Sequence, residues 1–154
     1  MEEERIKELI NRYTQVSFIV AKRAGALIKG QMANDLTDDQ FYILRHIHRS
    51  SKITSTELAE IFEVKKSAIT AIINRLVDKG LVERKRDPAD RRIVYLSLSK
   101  TGSELFAKTE KKINRLVAMF LKNLEADEIE AFLHTYEKLS DILLDIKEDN
   151  LEEK

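Results

Sequence analysis

From Ile6 onward apolar residues return at helical spacing: Leu9, Ile10, Tyr13, Val16, Val20, Ala24, Leu27 and Ile28. The pattern predicts one long amphipathic helix ending near Gly30. Next, Leu36-Thr37-Asp38-Asp39-Gln40-Phe41 reads as a helix start. Thr37 and Gln40 have capping-box spacing, and Leu36 and Phe41 are placed to form a hydrophobic staple across it. That helix is expected to run through Leu44 and Ile47 to about Arg49. The device repeats at Ile53-Thr54-Ser55-Thr56-Glu57-Leu58, with Thr54 as N-cap, Glu57 three places on, and Ile53 against Leu58. This helix is short and stops near Phe62. After Glu63-Val64 another helix runs from Lys65 to Lys79. Gly80 suits a left-handed position behind it, with apolar Leu81 following.

A short helix, a tight turn and a longer helix make helix-turn-helix spacing. Leu81–Arg84 and Ile93–Leu98 then read as two strands, the second with apolar residues at 94, 96 and 98. Pro88, the sole proline, lies in their connection. A hairpin placed there is a wing. Ser99 is the expected cap of a long helix with apolar Leu105, Phe106, Ile113, Leu116, Val117, Phe120, Leu121 and Leu124. A last helix starts near Ala126, and the polar tail 150–154 is expected to fray. The fold class is therefore mainly α with a small β-wing: a winged helix-turn-helix lobe (36–98) between terminal helical arms (1–33 and 100–149), in one domain of 154 residues. The arms carry more apolar surface than so small a lobe can cover. A two-fold homodimer would bury it, with an intramolecular bundle as the alternative.

Composition narrows the chemistry. Zero Cys excludes disulfides and thiolate chemistry. No apolar run approaches the length of a membrane span, and the acidic Met1-Glu2-Glu3-Glu4 has the wrong sign for a secretory signal, so a cytoplasmic, nucleoid-associated location is expected. The net charge of +0 hides an asymmetry. Residues 65–92 carry nine basic and four acidic side chains, a net +5, whereas 101–154 carry eight basic and thirteen acidic, a net −5. Charge sorted in this way marks a basic working surface.

Within 65–79, Ile69, Ile72, Ile73 and Leu76 form one face, which is core. The opposite face offers short or polar residues that a major groove admits. Ser67, Thr70 and Asn74 can bond base edges, Asn fitting adenine well; Thr70 and Ala71 can meet thymine methyls. Ala68 lies beside them. Lys65, Lys66 and Arg75 can hold phosphates, as can Ser55 and Thr56 at the preceding helix start. In the wing, Arg91 and Arg92 suit a narrow minor groove, with Asp90 aiming an arginine by a paired contact. The bland alternative for each is a solvated polar face. The expected partner is double-stranded DNA, with no membrane and no cofactor. No phosphate loop or nucleophile motif supports an enzyme. A winged-helix module that binds protein would want a neutral or apolar face, which Lys65, Lys66, Arg91 and Arg92 oppose.

Three pieces of the chain resemble the multiple-antibiotic-resistance regulator (MarR) family: Leu36-Thr37-x-x-Gln40-Phe41; Ile69-Thr70-x-x-Ile73-x-x-Leu76-x-x-Lys79-Gly80-Leu81-Val82-x-Arg84; and Asp87-Pro88-x-Asp90-x-Arg92 followed by Leu96-x-Leu98-Ser99-x-x-Gly102. Ser99 stands where the family usually has Thr, and Glu125 where a Ser or Thr cap is common. The resemblance implies a homodimeric repressor, less often an activator, bound to a palindromic operator. Arg92 takes the family's minor-groove role. Many members release DNA when a small aromatic or phenolic ligand enters a pocket between the dimer helices and the DNA-binding lobe. Here such a pocket would draw on Tyr13, Ser17, Phe41, Arg45 and His46. Cysteine-oxidation sensing, known in the family, is closed to this chain. His46 and His48 are two apart on a helix and make a poor metal pair; no metal site is expected.

Overall fold

The computed structural model describes residues 1–32, 36–147 and 151. The tail expected to fray, 150–154, lies outside the described residues apart from Leu151, as do the last residue of the first arm and the last two of the second. The chain runs α1 (Glu2–Gln31), α2 (Asp38–Arg49), α3 (Ser55–Ile61), α4 (Lys66–Asp78), β1 (Val82–Arg86), β2 (Val94–Leu98), α5 (Lys100–Leu121) and α6 (Ala126–Asp145). This is the expected fold class, mainly helical with one small antiparallel sheet. Two compact units divide inside α5, at Asn114 and Arg115.

The first unit holds the core. Leu44, Leu58, Ile69, Ile73, Leu76 and Phe106 are wholly or almost wholly buried in it. Both expected capping boxes are present. Thr37 Oγ1 accepts from Gln40 N at 3.2 Å, and Gln40 Oε1 accepts from Thr37 N at 3.2 Å. Thr54 and Glu57 repeat the exchange at 3.2 and 3.4 Å. These bonds satisfy amides that open a helix without intrahelical partners. The staple residues Leu36, Phe41, Ile53 and Leu58 are all buried, so each helix start is also a core contact.

Two left-handed residues close α3 and α4. Gly80 has φ 71°. Its N–H donates to Val77 O and that of Leu81 to Leu76 O, both at 2.9 Å, while Leu76 and Leu81 are buried together. This is a Schellman closure of α4. The turn between α3 and α4 is the same motif with Glu63 at φ 51°: Glu63 N donates to Glu60 O and Val64 N to Ala59 O. No glycine marked it in the sequence.

The wing differs from expectation at both ends. β1 starts at Val82 and continues through Lys85 and Arg86, pairing Val82 with Leu98, Arg84 with Leu96 and Arg86 with Val94. The Leu81 amide is engaged by the α4 closure and cannot join the ladder. Ile93 belongs to the turn, its N–H donating to Asp90 O at 3.0 Å and its carbonyl accepting from Asp87 N at 2.9 Å. On the other edge of β2, Leu96 N donates to Ile53 O at 2.9 Å, tying the start of α3 to the wing. Ser99 then joins three elements. Its N–H donates to Leu81 O, its hydroxyl donates to Gly80 O at 2.5 Å, and its oxygen accepts from Gly102 N at 2.9 Å. Gly102 is buried against that junction. A Cβ there would lie 2.0 Å from Leu81 O.

In the second unit α6 starts on Glu125, whose N–H donates to Glu128 Oε2 at 2.8 Å. Glu128 thus supplies the backbone partner at a start that lacks Ser or Thr. Neither α1 nor α6 buries a residue. On α1, Ile6, Leu9, Ile10, Tyr13, Val16 and Val20 are each more than half the way to full exposure or at that mark; on α6, Phe132 and Tyr136 stack at 5.1 Å in the open.

Candidate nucleic-acid interface

α4 is two-faced. Ile69, Ile73 and Leu76 are buried and Ile72 is partly so, a stripe at spacings of three and four. Lys66, Ser67, Ala68, Thr70, Ala71, Asn74 and Arg75 are exposed, as is Lys65 at the N-cap. Unlike α2 and α3, α4 has no side-chain cap hydrogen bond at its start. Beside it, Ser55 is half-buried and Thr56 exposed. One open concavity gathers the helical and wing residues. Thr54, Ser55, Thr56, Glu57, Lys66 and Thr70 line one side; Arg84, Arg92, Ile93, Val94 and Tyr95 line the other.

The wing tip is organised by two aspartates. Asp87 Oδ1 accepts from Ala89 N at 2.7 Å and Asp90 N at 3.1 Å, an Asx turn closing on Pro88. Those two amides, Ala89 first, hold the Asp87 carboxyl below its usual range. Asp90 accepts Arg92 Nε on Oδ1 and Arg92 Nη2 on Oδ2, both at 3.1 Å, and also the Arg92 amide. The arginine side-chain bonds are the main reason its carboxyl is shifted down, and the arginine is shifted up in return. The Arg92 side chain is nevertheless 91% exposed. It is therefore held in direction without being buried. Arg91 contributes its carbonyl, which accepts from Arg86 Nη1 at 2.9 Å; its side chain is exposed.

Arg84 is one residue that sequence reasoning left out of the site. Its Nη2 donates to Asn74 Oδ1, joining β1 to the polar face of α4. The signal was strand alternation. Val82, Arg84 and Arg86 share a face, and Val82 is core, so Arg84 leaves that face just past the core edge, beside α4. Tyr95, half-buried opposite Lys85, was missed as well; Lys52 Nζ lies 5.2 Å from its ring centre.

The five residues expected at a ligand pocket have separate surroundings. Phe41 is core, stacked on Phe106 at 5.5 Å. The His46 ring meets Phe62 edge-on at 5.2 Å. Partial burial, then Arg45 and Arg49, push His46 below its usual pKa. Arg45 and Ser17 are half-buried, and Tyr13 is exposed on α1. The His48 ring lies against Phe106 instead, away from that of His46.

The Escherichia coli K12 multiple antibiotic resistance protein MarR is 33% identical over 106 residues, covering 68% of this chain and 74% of its own. The MarR family profile matches residues 34–93. The chain belongs to the MarR family. The repressor MdtR of Bacillus subtilis 168 is 28% identical over 114 residues, 74% of each chain. Among solved structures, a cysteine-to-serine mutant of E. coli MarR complexed with operator DNA superposes with a TM-score of 0.71 at 29% identity, covering 84% of this chain and 94% of that one. A MepR-like protein complexed with pseudoligands gives 0.65 at 36% identity, covering 87% and 95%. The winged helix fold of MarR proteins is thus the fold of this chain, and its named relatives are transcriptional regulators, not enzymes. Among the described residues no helix is long and apolar enough to cross a membrane.

Proposed function

We propose that this MarR-family regulator is a homodimeric repressor that binds a palindromic operator. The observation that carries the reading is the shared concavity: Lys66 and Thr70 of α4, Ser55 and Thr56 of α3, and the Asp90-aimed Arg92 line one opening. In this reading α4 enters the major groove, where Ser67, Thr70, Ala71 and Asn74 meet base edges and Ala68 allows close approach. Lys65, Lys66, Arg75, Ser55 and Thr56 hold phosphates, fixing register. Arg92, with Arg91 beside it, enters the minor groove, and Asp90 keeps the guanidinium in line. The exposed apolar stripes of α1 and α6 support the dimer, because isolated faces of that size mark interaction surfaces. The arms (1–33 and 100–149) then serve dimerisation, and the lobe (36–98) serves DNA. A two-fold dimer sets two α4 helices about one DNA turn, roughly 34–36 Å, apart.

The effector in this reading is a small aromatic or phenolic molecule that binds near Tyr13, Ser17, Arg45 and His46, with Phe41 as the apolar floor. It acts by favouring a dimer shape whose half-site spacing does not fit the operator. A mobility-shift assay on the chain's own promoter region tests the main claim: a salt-sensitive complex that survives competitor DNA is expected, and its absence sinks the proposal. A thermal-shift screen of phenolic acids, with and without the bound promoter fragment, tests the effector. A true effector raises the melting temperature of the free protein more than that of the complex.

A further inference from the structure

We infer that Arg84 sets the base preference of Asn74. This deepens the DNA-binding reading above and rests on it. A free asparagine amide offers one acceptor and one NH2 donor, the pair that matches adenine N6 and N7. In this chain the amide is already engaged. Arg84 Nη2 donates to Asn74 Oδ1. A guanidinium has donors only, so the amide oxygen, and not its nitrogen, must face Arg84. The Nδ2 donors are then left unengaged by Arg84, on a residue that is exposed like Ser67, Thr70 and Ala71.

An Asn74 held this way can donate to a base but is poorly placed to accept from one. Arg84 occupies one of the two Oδ1 lone pairs and draws electron density from the other, so acceptance from adenine N6 is weakened. Guanine O6 and N7 and thymine O4 are acceptors and suit the exposed NH2 group. The wing strand therefore narrows what the helix reads, through one side chain that itself need touch no base. Arg84 is well placed for this. It lies on β1 opposite buried Leu96, so the strand pairing that anchors the wing also fixes its starting point. It is a positioning residue and Asn74 is the reader. Arg84 is exposed, so its replacement removes no core packing.

The test is selection of bound duplexes from a randomised oligonucleotide pool, followed by sequencing, with the full-length wild type, Arg84→Met, Arg84→Lys and Asn74→Ala. The position whose preference disappears in Asn74→Ala identifies the base pair that Asn74 reads. There the wild type is expected to favour guanine or thymine. Arg84→Met, which frees Oδ1, should move that single preference toward adenine by about fivefold to tenfold and leave other positions unchanged. Arg84→Lys keeps a donor for Oδ1 and should keep the wild-type preference. If wild type favours adenine there, or Arg84→Met weakens binding evenly without changing any base preference, the inference is overturned while DNA reading stands. If wild type enriches no sequence at all, both fall together.

Discussion

Asp90 commits both carboxylate oxygens to Arg92, and Asp87 commits one oxygen to two backbone amides. Both carboxyls are shifted down, so each favours the ordered wing in its charged form. That contribution is fully present above the ordinary aspartate pKa of about 3.9 and is lost as pH falls through the lower folded value. The amide resonances of Ala89, Asp90 and Arg92 should therefore titrate together with midpoints below about 3.9. Midpoints at or above that value would show the tip to be unorganised in solution. Removing Arg92 is a separate matter. Arg92→Ala should weaken binding across all sequences, whereas Asn74→Ala should relax preference at specific bases, as bound fractions on a panel of duplexes would show. Equal loss on every sequence for both variants would mean that α4 does not read bases. Gly102 gives a stability prediction of its own. Its missing Cβ leaves room for the Leu81 carbonyl, which Ser99 N holds in place. Gly102→Ala should cost about 2 kcal/mol or more by urea denaturation, because backbone and not a flexible side chain must yield.

At the scale of elements, the two left-handed turns make a matched pair. Gly80→Ala forces a side chain into φ 71° and should destabilise by about 1 kcal/mol. Glu63→Gly relieves the same strain at φ 51°, offset in part by added backbone freedom in the unfolded chain, and should stabilise by up to about 1 kcal/mol. Thermal melts of the two variants should shift in opposite directions. These turns also show what the sequence can reveal. Gly80 was legible because glycine is the usual residue for that conformation. Glu63 was not, because its geometry is imposed by the packing of α3 on α4 rather than by its own preference. The starts of α2 and α3 were legible because capping boxes and staples are local patterns within six residues. The extension of β1 through Lys85 and Arg86 was hidden by their charge; they pair with Tyr95 and Val94 on β2, a strand whose other edge is tied at Leu96 to Ile53, some forty residues back in the chain. The contact between Arg84 and Asn74 is tertiary in the same sense. The polar face of α4 and the aim of Asp90 at Arg92 could be read residue by residue, but the link between them through β1 could not.

For the whole molecule, a net charge of +0 means that attraction to DNA cannot come from overall charge. It must come from the segment 65–92, with its net +5, presented where phosphates are. A homodimer presents that segment twice, which couples assembly to salt dependence. The wild type should run in light scattering at twice the 17.9 kDa chain mass. Val16→Glu places a charge within the exposed apolar stripe of α1 and should give the single-chain mass, since a buried unpaired carboxylate opposes the interface. In the proposed complex each protomer engages phosphates independently of the arms, so affinity should fall with log salt about half as steeply for the Val16→Glu monomer as for the dimer. Lys66→Ala then separates the levels. It removes one phosphate contact per lobe, lowering the slope by about two in the dimer and about one in the monomeric variant. A slope unchanged by Lys66→Ala would remove Lys66 from the phosphate contacts. A monomeric wild type with the full slope would mean that the apolar faces of α1 and α6 serve something other than dimerisation.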